Sequence, residues 1–450
     1  MSKSFYIQTY GCQMNYHDSE RMSGMFDRMG FSVAESLDSA DVALINTCAV
    51  REKPERKLFA ELAKLRKAKE RNPDMILCVA GCMAPRDGDV IRSKAPWVDI
   101  LLGPRSIARL PDMVRKVELQ RRPIESLDLL DDPTPLTPVR RSGAVTAWVD
   151  ILFGCSYNCS FCAVPSARGR ERSRLPGEIF DEIDDLKYVG YQEVTLLGQT
   201  VNAYGRDWKY MPPDSSGFDS TKRMDFSWLL EQINQRAPDI RVRFTSPHPQ
   251  LFTKRLVNAI AELPNVCEHV HFPLQSADDE VLERMNRSYR YGKFREIVDN
   301  LRAVLPNICI TTDIIVGFPG ETEEQFQKTL QAFDDIQFDQ AFMFAYSPRR
   351  HTTAFDMKDV IPPEVQQRRL AELIDHANGL FRDKNQTQVG QTFEVLVEGV
   401  SEKNAARMTG RTRGNKTVVF EGTTELTGKL VDVKTTKGFL WGFTGEMVSP

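Results

Sequence analysis

Residues 149–162 read VDILFGCSYNCSFC. A short apolar run is followed directly by a segment with three cysteines. The cysteines are Cys155, Cys159 and Cys162, a C-x3-C-x2-C spacing. Short apolar runs that alternate with amphipathic stretches are typical of the strands and helices of α/β proteins. The cysteine loop therefore follows the first strand of a predicted α/β domain.

This spacing predicts an iron–sulfur cluster. Three thiolates on one short loop can bind three irons of a four-iron cluster and leave the fourth iron open to another ligand. Zinc, or a purely structural role, is the alternative, but zinc usually takes a fourth protein ligand nearby. The next cysteine or histidine after Cys162 is His248, so the spacing favours a cluster with an open iron.

The alternation continues through a central domain, predicted over residues 141–374. Its apolar runs are separated mostly by helical patterns and lie at residues 146–152, 193–197, 241–245, 267–272, 309–315 and 340–345. Six such units are too few to close an eight-stranded barrel. We therefore expect an open, partial (β/α)6 barrel.

An N-terminal domain, predicted over residues 3–119, shows the same alternation and predicts a doubly wound α/β fold. Its strands are expected at residues 4–10, 42–46, 75–80 and 98–102. Prolines and aspartates then concentrate in residues 123–143, a composition that opposes helices and central strands. This segment is predicted to be a linker.

Cys12, Cys48 and Cys82 each follow one of these N-terminal strands by one or two residues. Loops that leave the carboxyl ends of parallel strands converge at one edge of the sheet. Their turn-forming or polar neighbours make ordinary core positions the less favoured alternative. We therefore expect the three cysteines to share one site.

The remaining cysteines, Cys78, Cys267 and Cys309, are predicted to be core residues because they lie in or at the edge of apolar strands. Cys267 alternates with His269 and His271, a pattern that can imitate a metal site. Three ligands in a row on one strand can hardly point at one ion. A packed barrel interior is therefore the favoured interpretation.

After about residue 388, short strand-like runs are broken by glycines at the spacing of turns. This pattern predicts a small β-barrel, in a domain over residues 377–448.

The composition excludes several classes of protein. The chain has 450 residues, 41% of them hydrophobic and 27% charged, with a formal net charge of −3. These values are typical of a soluble globular protein, and no long apolar run predicts a membrane span or an export signal. Nine cysteines without such a signal indicate a reducing compartment, so we expect a cytoplasmic protein.

Positive charge nevertheless concentrates beside both cysteine sets. Residues 51–71 carry nine lysines and arginines against four glutamates, and residues 168–174 carry four arginines against one glutamate. A solvated face is the ordinary interpretation of one basic patch, but two patches beside two candidate clusters favour phosphate contacts. The candidate contacts in these segments are Arg51, Lys53, Arg168, Arg170 and Arg172.

The whole chain resembles the radical S-adenosylmethionine (SAM) methylthiotransferases. The resemblance is carried by the C-x3-C-x2-C loop together with TYGCQMN (9–15), NTCAVRE (46–52), GCMA (81–84), RGRERSR (168–174), LGQTVN (197–202), HFPLQS (271–276) and DIIVGFPGE (313–321). The C-terminal β-domain is similar to the TRAM module, with which members of the family bind RNA.

This resemblance implies two [4Fe-4S] clusters and SAM as cofactors. The cluster on the C-x3-C-x2-C loop would bind SAM and generate a radical, and an auxiliary cluster on Cys12, Cys48 and Cys82 would carry the sulfur. No residue beyond the clusters is expected to be catalytic. Candidate SAM contacts lie in the loop or at strand ends, at Phe161, Gly198, Gln199, Asn202, Ser246 and Gln275.

The implied activity is methylthiolation of carbon 2 of N6-isopentenyladenosine at position 37 of tRNA, with further RNA contacts from Arg411 and Arg413. Threonylcarbamoyl-adenosine in tRNA and an aspartate of a ribosomal protein are alternative substrates. A third hypothesis is an electron carrier with two clusters and no enzymatic activity. The implied partners are the tRNA anticodon stem-loop and an electron donor such as flavodoxin or ferredoxin, and we expect a monomer.

Overall fold

The computed structural model describes residues 3–49, 52–129, 137–208 and 224–448, with the backbone alone for residues 52–54. The chain divides into two compact units. The first comprises Met1–Ser142, Phe153–Arg172 and Ser347–Phe355, and the second comprises Gly143–Leu152, Ser173–Tyr346 and Asp356–Pro450. The C-x3-C-x2-C loop therefore belongs to the same unit as the N-terminal residues.

The first unit contains a parallel sheet of six strands: β1 (Ser4–Tyr10), β2 (Ser32–Val33), β3 (Val42–Thr47), β4 (Ile76–Gly81), β5 (Ile100–Leu102) and β6 (Ile124–Ser126). The order is β2-β1-β3-β4-β5-β6. The connecting helices are α1 (Gln13–Arg28), α2 (Glu52–Arg71), α3 (Met83–Lys94) and α4 (Leu110–Gln120), with a 3-10 helix over Pro104–Arg109. This strand order is that of a doubly wound fold, as the sequence predicts.

Both faces of this sheet are covered, because parallel strands are joined by helices that pack on them. Strands β3 and β4 are buried along their whole length, which explains their nearly continuous apolar sequences VALINT and ILCVAG. Neighbouring residues of β3 belong to different apolar clusters: Ile45 packs in one with Leu58 of α2, and Leu44 packs in another with Phe26 of α1.

The sequence does not predict the two edge strands of this sheet. Strand β2 has only two residues, and β6 lies inside the segment predicted as a linker, so that prediction is wrong for Ile124–Ser126. Ile124 pairs with Ile100, and its carbonyl accepts a hydrogen bond from Arg92 Nη2 at 2.8 Å. Pro123 precedes an edge strand, where a proline removes no ladder hydrogen bond.

Strands β7 to β14 follow along the chain: β7 (Thr146–Asp150), β8 (Leu152–Phe153), β9 (Arg172–Ser173), β10 (Glu193–Leu197), β11 (Arg241–Phe244), β12 (His269–His271), β13 (Cys309–Val316) and β14 (Gln340–Ala345). In the second unit β7, β10 and β11 form one parallel sheet, and β12, β13 and β14 form another. A parallel bridge between Val242 and Val266 continues the ladder beyond β11. This succession confirms the open, partial barrel.

Helices alternate with these strands along the chain. They are α5 (Val164–Arg168), α6 (Pro176–Val189), α7 (Phe226–Arg236), α8 (Lys254–Glu262), α9 (Asp279–Arg284), α10 (Tyr291–Val304), α11 (Glu323–Ile336) and α12 (Pro363–Thr387). Short 3-10 helices lie at Val201–Ala203, Pro249–Leu251, Thr353–Asp356 and Thr424–Leu426. On α6, Ile179, Phe180, Ile183 and Leu186 recur at helical spacing and are buried. Within the described residues, no helix has the length and apolar character needed to cross a membrane.

The C-terminal strands close into a five-stranded barrel, as predicted. They are β15 (Thr392–Ser401), β16 (Asn404–Thr412), β17 (Thr417–Glu421), β18 (Leu430–Phe439) and β19 (Gly442–Met447), in the order β15-β16-β17-β19-β18. Val395, Val397, Met408, Val418 and Phe420 belong to its apolar core.

Helix α12 connects the central strands to this barrel without a break. Its Leu373 and Phe381 pack in the central core, whereas Asn385 Nδ2 donates a 2.6 Å hydrogen bond to the carbonyl of Phe439 in the barrel. The expected change of domain between residues 374 and 377 therefore falls within one helix.

Buried charges also join the barrel to the central strands. Arg243 of β11 donates hydrogen bonds of 2.7 Å each to the carbonyls of Thr412 and Arg413. Asp339, which precedes β14, is paired with Lys384 at 2.9 Å and with Lys416 at 3.0 Å.

Substitution of Gly81 should destabilise the first unit more than substitution of Gly30. Both glycines have a positive φ, +93° and +75°, so alanine carries backbone strain of about 1 kcal/mol at either position. At Gly81 the added Cβ would also overlap Asn46 Oδ1 and the carbonyl oxygen of Thr47, whereas nothing lies within 4 Å at Gly30. Urea unfolding should show a larger loss for Gly81→Ala; equal losses would contradict this packing.

Acid should destabilise the second unit through His269. Burial, reinforced by Arg243 and His271, lowers the pKa of His269 to about 3. Below pH 6.5 the unfolded chain binds a proton that the folded chain does not, so stability falls as the pH drops, by on the order of 1 kcal/mol at pH 5.5.

His269→Gln should therefore weaken the dependence of the unfolding midpoint on pH between 7 and 5. His351→Gln, at an exposed position, is the control. An unchanged dependence in His269→Gln would show that His269 is not the responsible group.

Candidate metal centres

The register of three neighbouring strands brings Cys12, Cys48 and Cys82 to one edge of the N-terminal sheet. Tyr10 at the end of β1 pairs with Thr47 of β3, and Thr47 pairs with Gly81 of β4. Each cysteine follows its strand end by one or two residues. Strands β1 and β3 also flank the point where the strand order reverses, which is where open α/β sheets bind ligands.

The thiols of this set interact with each other. A hydrogen bond with Cys48 lowers the pKa of the Cys12 thiol to about 6. Burial raises the pKa of the Cys82 thiol, and the positive charge of Arg168 opposes that rise. A Cβ on Gly11 would lie 2.8 Å from Cys48 Cβ, so only glycine allows the turn after β1 to approach Cys48 this closely.

Two fully buried asparagines hold this turn. Asn15 Oδ1 lies 3.3 Å from Cys12 Sγ, and Asn15 Nδ2 donates to Thr47 O and to Asn46 Oδ1, both at 3.3 Å. Asn46 Nδ2 donates in return to Asn15 O at 2.6 Å. The sequence pattern alone predicts no role for either residue. The available signal is the position of Asn15, the third residue of α1 after its N-cap Cys12, where capping boxes place a polar side chain.

Arg168 lies against the same thiols. It is 4% exposed, its Nη2 donates to Asp18 Oδ2 at 2.6 Å, and its Nε lies 3.2 Å from Cys82 Sγ. Asp18 is itself buried on α1. The guanidinium predicted to contact RNA is thus engaged inside the protein.

Cys155, Cys159 and Cys162 lie on the loop between β8 and α5. Cys155 N donates to the carbonyl of Gly169, and Cys162 N donates to the carbonyl of Cys159, each at 3.0 Å. Cys162 Sγ accepts a hydrogen bond from Val164 N at 3.5 Å. A cavity of about 710 Å³ opens beside Cys155 and is lined by Asp128, Leu129, Ser156, Asn158, Pro165, Gly169 and Arg170.

The chemistry of both donor sets fits iron–sulfur clusters. Each set consists of three thiols, and all nine cysteines are free of disulfides. Three thiolates can bind three irons of a four-iron cluster. The backbone N–H and guanidinium donors near Cys162 and Cys82 are also the partners that cluster thiolates take.

The candidate SAM contacts in the second unit cluster at strand ends. Gly198 and Gln199 follow β10, Ser246 follows β11, and Gln275 follows β12. Gln199 Oε1 is buried without a hydrogen-bond partner among the described residues. Ser246 and Gln275 have φ values of +56° and +70°, strain that non-glycine residues keep mainly at functional sites.

Two other candidates have different surroundings. Asn202 is bound on both sides to the backbone of His248, donating to its carbonyl at 3.0 Å and accepting from its N–H at 2.7 Å. This arrangement gives Asn202 a role in holding the loop after β10. Phe161 is half-buried in the cysteine loop of the first unit.

The candidate RNA contacts of the basic segments are placed unevenly. Arg51 and the side chain of Lys53 lie outside the described residues. Arg170 is exposed and lines the cavity beside Cys155, and Arg172 is half-buried.

The two candidates in the barrel are engaged in ion pairs. Arg411 Nε donates to Glu398 at 3.0 Å, with its side chain 41% exposed. Arg413 donates hydrogen bonds to both carboxylate oxygens of Glu268, from Nε at 2.7 Å and from Nη2 at 2.8 Å. Of the two, Arg411 leaves more of its surface to solvent.

Three segments match known protein families. Residues 4–103 match the Uncharacterized protein family UPF0004, residues 149–333 match the Radical SAM superfamily, and residues 386–447 match the TRAM domain.

Two solved structures share the fold at low sequence identity. A radical S-adenosylmethionine methyltransferase, TsrM, from Kitasatospora setae aligns with a TM-score of 0.56 at 14% identity, over 79% of this chain and 74% of that one. The cobalamin-dependent S-adenosylmethionine radical enzyme OxsB aligns with a TM-score of 0.52 at 12% identity, over 84% of this chain and 58% of that one.

Full-length relatives are much more similar in sequence. The tRNA-2-methylthio-N(6)-dimethylallyladenosine synthase of Symbiobacterium thermophilum is 42% identical over 98% of this chain and 94% of its own. That of Moorella thermoacetica is 42% identical over 99% of this chain and 98% of its own. These matches confirm the resemblance found in the sequence. The chain therefore belongs to the radical SAM tRNA methylthiotransferases, the family of the tRNA-2-methylthio-N(6)-dimethylallyladenosine synthases.

Proposed function

We propose that this enzyme transfers a methylthio group to carbon 2 of N6-isopentenyladenosine at position 37 of tRNA. The observation that carries the proposal is the meeting of Cys12, Cys48 and Cys82 at the switch point of the N-terminal sheet. This second thiol set accompanies the C-x3-C-x2-C loop, and full-length relatives bear the name of this activity.

Two [4Fe-4S] clusters and SAM, when bound, supply the radical chemistry, the methyl group and the sulfur. Cys155, Cys159 and Cys162 hold one cluster beside an open cavity, and the N-terminal thiols hold the other. The residues of the chain bind and orient these groups. The proposed SAM contacts in the second unit include Gln199, which has a buried amide oxygen, and Ser246 and Gln275, which have strained backbones; each lies beyond the end of a different strand.

The RNA partner is the anticodon stem-loop, because the target base lies in its loop. Arg170 is exposed beside the cavity at Cys155 and is suited to a phosphate. A groove of about 800 Å³ in the first unit combines basic and aromatic side chains, as single-stranded RNA sites do. Arg56, Phe59, Lys94 and Trp97 line it, together with Glu55 and Arg349, which form an ion pair. Arg51, Lys53, Arg172, Arg411 and Arg413 remain candidate contacts under this proposal.

The proposed enzyme has three functional parts, over residues 3–119, 141–374 and 377–448. Family matches inside each of these ranges support this division. An electron donor such as flavodoxin or ferredoxin delivers reducing equivalents to a monomer in the cytoplasm.

The substrate is tested by mass spectrometry of nucleosides from isopentenylated tRNA. The tRNA is incubated anaerobically with the reconstituted enzyme, reductant and methyl-labelled SAM. We expect a labelled 2-methylthio derivative of isopentenyladenosine and none from the same tRNA without the isopentenyl group.

Parallel reactions with threonylcarbamoyl-adenosine tRNA and with ribosomal protein examine the alternative substrates. Product from either of these, together with none from isopentenylated tRNA, would overturn the substrate assignment. Absence of both product and 5′-deoxyadenosine from an enzyme with both clusters verified would overturn the enzymatic proposal.

Cysteine variants test the division of work between the two thiol sets. Cys159→Ala should abolish SAM cleavage to 5′-deoxyadenosine and leave about four of about eight irons per chain. Cys48→Ala should retain part of the cleavage and lose methylthio transfer. Cys78→Ala is the matched control, because Cys78 is a buried strand residue only four positions before Cys82, and it should keep both activities.

Two results would contradict this division of work. In the first, both Cys159→Ala and Cys48→Ala lose only SAM cleavage. In the second, both variants still form the methylthio product.

A further inference from the structure

The last residue of α5 and the turn that follows it contact both cysteine sets of the first unit. The side chain of Arg168 reaches Cys82 Sγ at 3.2 Å, and the carbonyl of the next residue, Gly169, accepts the hydrogen bond from Cys155 N. Arg105 fixes the same turn by donating to the carbonyls of Arg168 and Arg170, at 3.2 and 3.0 Å. One short segment thus supports a member of each set.

The burial of the Arg168 side chain is energetically unfavourable unless its charge and its hydrogen-bond donors are paired. Burying a guanidinium requires a close counter-charge and hydrogen bonds for its remaining donors. Asp18 supplies the counter-charge through Nη2, at 2.6 Å. The Nε donor is directed instead at Cys82 Sγ, so the hydrogen bond to sulfur is additional to the ion pair.

We propose that Arg168 is a positioning residue that raises the reduction potential of the cluster held by Cys12, Cys48 and Cys82. Hydrogen bonds to ligand sulfur and nearby net charge are among the factors that set the potentials of iron–sulfur clusters. The N–H donor and the positive charge of Arg168, next to Cys82 Sγ, stabilise the reduced cluster, because the reduced cluster carries one more electron. The inference rests on the proposed function only in placing a cluster at these thiols.

Asp18 acts on the same cluster through its charge. Its carboxylate accepts the hydrogen bond from Arg168 and offsets part of the positive charge near the thiols. Asparagine keeps an oxygen that can accept this hydrogen bond and removes only the negative charge. Removing the charge of Asp18 should therefore change the potential in the direction opposite to removing that of Arg168.

The test uses the full-length protein with Cys155, Cys159 and Cys162 changed to alanine, so that only the N-terminal cluster contributes to the spectrum. The midpoint potential is measured by electron paramagnetic resonance during titration with titanium(III) citrate and redox mediators. Arg168→Gln should shift the potential to more negative values, and Arg168→Lys should shift it less. Arg109→Gln, which removes a half-exposed charge paired with Asp128, should leave it unchanged.

If the Arg168→Gln protein does not assemble a cluster, the Asp18→Asn variant tests the effect of this charge pair on the reduction potential. Its midpoint should move to more positive values, and a negative shift or no shift would overturn the inference. An Arg168→Gln cluster with the midpoint and spectrum of Arg109→Gln would overturn it as well. Absence of any cluster in the parent alanine variant would instead contradict the proposed second centre.

Discussion

The candidate chemistry of the first unit depends on the register of parallel strands β1, β3 and β4. Because Tyr10, Thr47 and Gly81 lie level across the sheet, the residues that follow them meet at one edge. A slip of one residue in a parallel strand would turn each side chain to the opposite face of the sheet. The two apolar clusters that share β3 therefore fix the register of the strand, and with it the position of the cysteine that follows. Burial of apolar side chains thus determines where the thiols lie.

Around these thiols the protein keeps an unusual amount of buried polarity. Asn15, Asn46, Asp18 and Arg168 are all shielded from water, yet each contacts another member of the group or a cysteine. Such a network is favourable only where its members are paired, because each unmet donor or acceptor costs desolvation energy. The two asparagines and the Arg168–Asp18 pair meet this condition, whereas Asp18 Oδ1 has no hydrogen-bond partner among the described residues. The paired side chains connect Cys12 and Cys82 to the surrounding fold.

Much of the architecture follows from the sequence because it rests on local periodicity. The predicted strand at residues 4–10 matches β1, and the partial barrel and small β-barrel follow from alternation and turn spacing. Strand β6 is missed because Pro123 and the aspartates beyond it dominate a segment whose order comes from pairing with β5. The burial of Arg168 is not predicted for a related reason: the sequence shows only a basic run, whereas the carboxylate that pairs with Arg168, Asp18, lies 150 residues earlier in the chain.

The unbroken helix α12 and the charges beside it bear on how the second unit loses its structure. If the C-terminal barrel detached, Arg243 would lose its carbonyl partners on β16 and the following turn and keep only Glu193. Asp339 would lose Lys416 and keep Lys384. Because buried charges are unfavourable when they lose hydrogen bonds and counter-charges, melting of the barrel alone carries a cost for the central strands. The C-terminal part is therefore coupled to the central strands in unfolding, through helix α12 and these shared charges.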